Sequence, residues 1–237
     1  MNKRVLFVLT NHVEMGATGD FTGYHLAEAS RPYNILKAQG VTIDFASPQG
    51  GKPIPDAFDL DDPDNKKFWE DSEVQGKLSA TLTPETAEAS QYDGIYFPGG
   101  HGTMWDFRHH LALQELTRDI YEQGGFVAAV CHGPAALVDV KLSQGNYLVA
   151  GKHINAFTDE EERQAGLEDV VPFLLESALR ERGAIFESSA PGECHVVLDG
   201  RIITGQNPAS AKSVAKKMLS LMEQMEYRDA EVSHSQR

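Results

Sequence analysis

The sequence predicts an α/β fold in which helices cover both faces of a mostly parallel central sheet. Two observations carry this. Short continuous apolar runs recur, Val5–Leu9, Val41–Ala46, Gly94–Phe97 and Phe126–Val130, and each ends abruptly on polar, Gly/Pro or Cys residues. Runs of this length without polar alternation are the pattern of strands buried on both faces. Between them lie stretches of helical periodicity, Tyr24–Gln39 and Leu111–Gln123, the latter with Leu113, Leu116, Ile120 and Tyr121 on one side. Strand alternating with helix gives right-handed crossovers and a parallel sheet.

Punctuation extends the assignment. Thr83-Pro84-Glu85 has the order of a cap, a first-turn proline and an acid, and so predicts a helix start; Asn207-Pro208 predicts another, leading through Val214, Met218, Leu221 and Met222. Val171–Arg182 reads as a helix stopped by Gly183. Ala184–Phe186 reads as a strand, and Val196–Thr204 as a hairpin around Asp199-Gly200. Residues 48–82 break the alternation. They are rich in Asp, Lys, Pro and Gly but carry Phe58, Leu60, Phe68 and Trp69, which predicts a partly helical inserted cap packed on the body of a single domain spanning residues 1–225. Residues 226–237 are polar and aperiodic and read as a frayed tail.

The chain has 237 residues, enough to bury a sizeable core without disulfides or a structural metal. Two cysteines, Cys131 and Cys194, are too few for a disulfide framework and suit a reducing compartment. Asp and Glu number 35 against 21 Lys and Arg, a net charge of −14, which excludes a nucleic-acid backbone or an anionic membrane as a partner held by attraction. The longest N-terminal apolar run is five residues, far too short for a signal-peptide core or a membrane span, so the expected location is the cytoplasm.

Chemistry concentrates at Val127-Ala128-Ala129-Val130-Cys131-His132-Gly133-Pro134. A buried strand runs straight into a cysteine and then into small residues that open the next helix, the arrangement that lifts a nucleophile out of the carboxyl edge of a sheet. Helix N-terminal amides are expected to lower the thiol pKa, and the His132 amide to face a developing oxyanion. A lone Cys is usually a small buried hydrophobe, but such a residue needs no Gly-Pro turn behind it. The neighbouring loop, Pro98-Gly99-Gly100-His101-Gly102-Thr103, offers Gly99 and Gly100 as further backbone donors. It lacks the Lys and hydroxyl pair of a phosphate-binding loop. No His/Cys cluster has metal-ligand spacing; His109-His110 read as surface residues and Cys194 as incidental.

The cysteine segment, the Phe97–Thr103 loop and Asn207-Pro208-Ala209-Ser210 together resemble the ThiJ/PfpI superfamily, the class I glutamine amidotransferase-like proteins. Thr22-Gly23, Glu28, Arg31-Pro32, the insertion after Pro48, and Gly151–Asp159 with Glu162 resemble its glyoxalase III and fungal-type heat-shock branch. The resemblance implies a flavodoxin-like three-layer sandwich and a triad of Cys131, His132 and an acid. Glu162 is the matching acid, with Asp159, Glu160 and Glu161 beside it and no means in the sequence of choosing among them. It also implies that Glu28 is a buried carboxylic acid next to the sulfur, and that no cofactor or metal is needed. Its implied activity is glutathione-independent conversion of methylglyoxal or related 2-oxoaldehydes to 2-hydroxy acids such as lactate, a lyase reaction through a cysteine hemithioacetal. A holding chaperone or redox sensor, and a deglycase or cysteine peptidase or amidase, are alternatives on the same cysteine. Family members are often homodimers, although no interface is visible in the sequence.

Overall fold

The computed structural model describes residues 3–235, with side chains described as far as 227. In chain order the strands are β1 (Arg4–Val8), β2 (Tyr24–His25), β3 (Thr42–Ala46), β4 (Pro55–Asp56), β5 (Gly94–Phe97), β6 (Phe126–Val130), β7 (His153–Ile154), β8 (Ile185–Phe186), β9 (Val196–Asp199) and β10 (Ile202–Gly205). The helices are α1 (Leu26–Ala38), α2 (Pro63–Glu70), α3 (Ser72–Leu78), α4 (Thr103–Asp106), α5 (Leu111–Glu122), α6 (Asp159–Ala165), α7 (Leu175–Glu181) and α8 (Ala211–Ser235).

Six strands form the central sheet in the order β3-β1-β5-β6-β10-β9, parallel except for the β9–β10 hairpin. Period-two alternation splits the apolar runs between two cores. Val5, Phe7, Tyr96, Ala128 and Val130 face α1 and α8, whereas Leu6, Val8, Ile95, Phe97, Val127 and Ala129 face α5 and α7. This is the three-layer sandwich of the flavodoxin-like class. The expected hairpin turn is present, with positive φ at Gly200, the first of its two central residues.

Several expectations need correction. Thr83-Pro84-Glu85 opens a single turn, not a helix. Thr86 Oγ1 accepts from the Thr83 amide, and the chain is extended again at Glu88 to reach β5. The Val171–Arg182 helix begins only at Leu175, because Pro172 disfavours helical geometry before it and supplies no amide. Ala184–Phe186 contributes only β8, which pairs with β7 outside the main sheet. Helix α8 continues from Glu226 to Ser235, where a frayed tail was expected; residues 236–237 of that tail lie outside the described residues.

The insertion is partly helical. Asp62 caps α2 ahead of Pro63, and Asp71 caps α3. Phe68 is fully buried against Tyr33 of α1 and Phe45 of β3, and Arg31 pairs with Asp62 at 2.8 Å. These helices therefore widen the α1 layer. At the carboxyl edge of the sheet, β4 pairs with β2, and Gln49 and Gly50 bond Asn11 in the loop after β1.

Pro32 lies inside α1 and donates no amide to the carbonyl of Glu28, four residues earlier. The Tyr96 hydroxyl donates to that carbonyl instead, at 2.8 Å. This bond ties α1 to the central strand β5 at the residue whose side chain enters the site.

Candidate active site

β5 and β6 are adjacent and parallel, so the loops leaving their carboxyl ends lie side by side. The β6 loop begins with Cys131, whose φ of 59° is unusual for any residue but glycine. Such a conformation costs about 1–3 kcal/mol and persists only where the surroundings impose it. Here the Cys131 amide donates to Gly205 O at 2.9 Å and its carbonyl accepts from Phe157 N at 2.8 Å. Gly133 follows because a Cβ there would sit 2.1 Å from the Phe97 carbonyl oxygen. Thr103 Oγ1, 3.0 Å from both Gly100 O and His132 O, fastens the two loops together.

The structure brings Cys131, His132 and Glu162 into one chain. His132 Nδ1 is 3.4 Å from Cys131 Sγ, and His132 Nε2 is 2.8 Å from Glu162 Oε2. The neighbouring acids are engaged elsewhere. Glu161 closes a capping box with Thr158 and accepts from Gly192 N and Asn207 Nδ2, Asp159 bonds Ser177, and Glu160 faces solvent. Burial pushes Glu162 up, but hydrogen bonds from His101 and His132 outweigh it and bring the carboxyl down to about 2. Burial, reinforced by His101, lowers His132 to about 4 despite Glu162. At neutral pH the pair is thus a carboxylate and a neutral imidazole. A carboxylate only accepts, so His132 carries its proton on Nε2 and turns the Nδ1 lone pair to the sulfur.

Glu28, fully buried on α1, accepts from the Gly99 amide at 2.6 Å through Oε2. Its Oε1 has no partner in ordinary hydrogen-bond geometry, and Cys131 is the group to which the carboxyl is coupled. Burial raises Glu28 to about 8. Burial first, and then the charge of Glu28, push the Cys131 thiol well above its usual range. The expected lowering of the thiol pKa does not occur. The His132 amide acts in that direction, but Gly133–Leu137 is a short 3₁₀ segment without the dipole of an α-helix. With Glu28 protonated and the thiol pushed up, neither group is charged at neutral pH, and the His132 Nδ1 lone pair 3.4 Å from Sγ is the acceptor placed to take the thiol proton.

Of the two glycines expected to serve as donors, Gly99 is already committed to Glu28. Gly100, with φ of 103°, and His132 keep their amides free of protein acceptors among the described residues. A Cβ on Gly100 would meet Gly23 O at 2.1 Å, so only glycine allows this loop so close to β2.

Sequence reasoning missed His101. Its Nε2 is 2.7 Å from Glu162 Oε1, and its ring centroid is 4.0 Å from that of His132. The signal was present in the Gly-Gly-His-Gly motif, where only the glycines were weighed. His101, His132 and Glu162 also place three ligand-type atoms within 4.8 Å of one another, a set able to hold a divalent cation. They come from two loops and helix α6, so no local spacing announces them. His110, read as a surface residue, instead caps α5 through Nδ1.

A doubly covered parallel sheet with a strained cysteine at its carboxyl edge, backed by imidazole, carboxylate and a buried acid, defines a cysteine-nucleophile α/β protein. The DJ-1/PfpI family matches residues 20–221, and the chain belongs to that family. It is 33% identical to the glutathione-independent glyoxalase HSP31 of Saccharomyces cerevisiae, over 93% of this chain and 98% of that protein. Candida albicans glyoxalase III has a solved structure that superposes with a TM-score of 0.85 at 30% identity, covering 92% of this chain and 96% of that one. The rapid encystment protein of Francisella tularensis superposes with a TM-score of 0.87 at 38% identity, over 91% and 97% of the two chains.

Proposed function

We propose that this protein is a glutathione-independent glyoxalase converting methylglyoxal or a related 2-oxoaldehyde to the 2-hydroxy acid. The observation that carries the reading is the Cys131 sulfur 3.4 Å from His132 Nδ1 with Glu162 behind the imidazole at 2.8 Å; the glyoxalases among its relatives support it. The Cys131 thiolate bonds to the aldehyde carbon, and the carbonyl electron pair becomes an oxyanion facing the Gly100 and His132 amides. Neutralised by a proton, this is a hemithioacetal. His132, or Glu28 in its ionised form, removes the C1 proton to give an enediol, and the proton returns at C2. C1 is oxidised and C2 reduced in the same step, so no external oxidant or reductant enters. Water then cleaves the thioester, returning the thiol and releasing lactate. The chemistry needs a free thiol, which a reducing compartment such as the cytoplasm preserves.

Purified protein given methylglyoxal without added thiol should form lactate, and Cys131→Ala should abolish it. Equal turnover by Cys131→Ala would overturn the reading. Release of amines from unmodified peptides in place of lactate would favour a peptidase. Suppression of client aggregation by a variant that forms no lactate would favour a chaperone.

A further inference from the structure

We propose that His101 is a positioning residue for the Cys131–His132–Glu162 chain: it occupies the second oxygen of Glu162 and so holds the carboxylate in the one orientation that keeps His132 Nδ1 turned to the sulfur. The inference rests on the glyoxalase reading only for its kinetic consequence, since the geometry stands by itself.

Glu162 is 3% exposed at its side chain and uses its two oxygens on two imidazoles, Oε1 on His101 at 2.7 Å and Oε2 on His132 at 2.8 Å. Without His101, Oε1 would be a buried charged oxygen lacking a donor, and the carboxylate could rotate to offer His132 either oxygen. Orientation of the imidazole, which depends on that bond, would loosen with it. His101 is itself tightly placed. Gly100 before it adopts φ of 103°, a Cβ on Gly102 after it would lie 2.5 Å from His12 O, and Thr103 binds its loop to the nucleophile loop. Its ring packs at 4.0 Å from His132 and 6.0 Å from Phe157.

The test compares His101→Ala with His101→Gln, whose amide can still donate to Glu162. His101→Ala should lower kcat by about 10- to 100-fold, the loss of one charge-assisted hydrogen bond, with KM within about threefold. His101→Gln should recover most of kcat. The rate of Cys131 alkylation by iodoacetamide should fall in His101→Ala and recover in His101→Gln. Unchanged kcat and unchanged alkylation in His101→Ala would overturn the proposal. So would a raised KM with kcat intact, which would make His101 a substrate contact. Alkylation needs no turnover, so it judges His101 even if the wild-type protein forms no lactate.

Discussion

The Tyr96 hydroxyl donates to the Glu28 carbonyl across 2.8 Å, taking the place of the amide that Pro32 lacks. A sheet residue thus repairs a helix and anchors the turn that carries the buried Glu28 carboxyl in one bond. Tyr96→Phe leaves a buried carbonyl without a donor and should cost about 1–3 kcal/mol of unfolding free energy. Pro32→Ala restores an amide at the position that would serve that carbonyl. In its background the cost of Tyr96→Phe should shrink, which a double-mutant cycle by chemical denaturation measures. Full additivity would show that the bond contributes nothing specific.

Glu28 sets activity against stability. The folded protein holds its proton up to about pH 8, whereas an ordinary carboxyl loses it near 4.5. Between those values only the unfolded chain releases a proton, so stability falls as pH rises, by at most roughly 5 kcal/mol. His132 works from the other side. Its folded value near 4 lies below the ordinary 6.5, so stability also falls as pH drops from 6.5 toward 4. The two slopes put the stability maximum near pH 5–6. Glu28→Gln keeps an oxygen for the Gly99 amide and removes the ionisation. Its melting temperature should exceed the wild type's at pH 8, while turnover falls by about 10²-fold or more. A variant less stable than wild type at pH 8 would contradict the buried neutral acid.

Turnover has its own pH signature. Glu28 ionises near pH 8 and its charge then pushes the Cys131 thiol further up, so kcat/KM for methylglyoxal should fall as pH rises through 8. No inflection from His132 is expected between pH 5 and 8, because its imidazole is already neutral there. NMR of the imidazole nitrogens should show the Nε2–H tautomer throughout that range. A His132 titration near 6.5 would refute this electrostatic description.

Legibility in the sequence followed the physics of each element. The β1, β5 and β6 strands were readable because a doubly covered sheet needs unbroken apolar runs, the edge strand β3 because Ile43 and Phe45 alternate with Thr42 and Asp44, and Cys131 because the run beneath it ends so sharply. The start of α7 was not, since the apolar periodicity of Val171 and Leu175 continues across Pro172, whose backbone effect overrides it. Gly99 and Gly100 look alike in the chain, and only the approach of Glu28 from α1 separates their roles. His101 escaped notice for the same reason: its partner is 61 residues away.

That pair of glycines yields contrasting variants. A Cβ on Gly100 would lie 2.1 Å from the Gly23 carbonyl oxygen, at a φ of 103°. Gly100→Ala should therefore destabilise the protein by about 2–4 kcal/mol through both clash and strain. Gly99 lacks the positive φ, and its added methyl would meet the Glu28 Oε2 and His132 N at 2.7 Å. Gly99→Ala should lose activity out of proportion to its loss of stability, because it displaces the acid from the sulfur. Denaturation midpoints and kcat on the same preparations separate the two; equal behaviour would sink the distinction.

The insertion can be assigned to the body of the fold by one substitution. Phe68 of α2 is fully buried, with ring centroids 5.2 Å from Tyr33 and 6.0 Å from Phe45. If α2 shares the core of α1 and β3, Phe68→Ala opens a cavity there and should cost about 3–5 kcal/mol. None of the three rings contacts Cys131, His132 or Glu28 in these aromatic pairs, so kcat at temperatures where the variant stays folded should match wild type. A swinging lid behaves differently: loosening it would cost little global stability and change turnover. A loss below about 1 kcal/mol accompanied by an altered kcat would therefore move the insertion from the core to a gate.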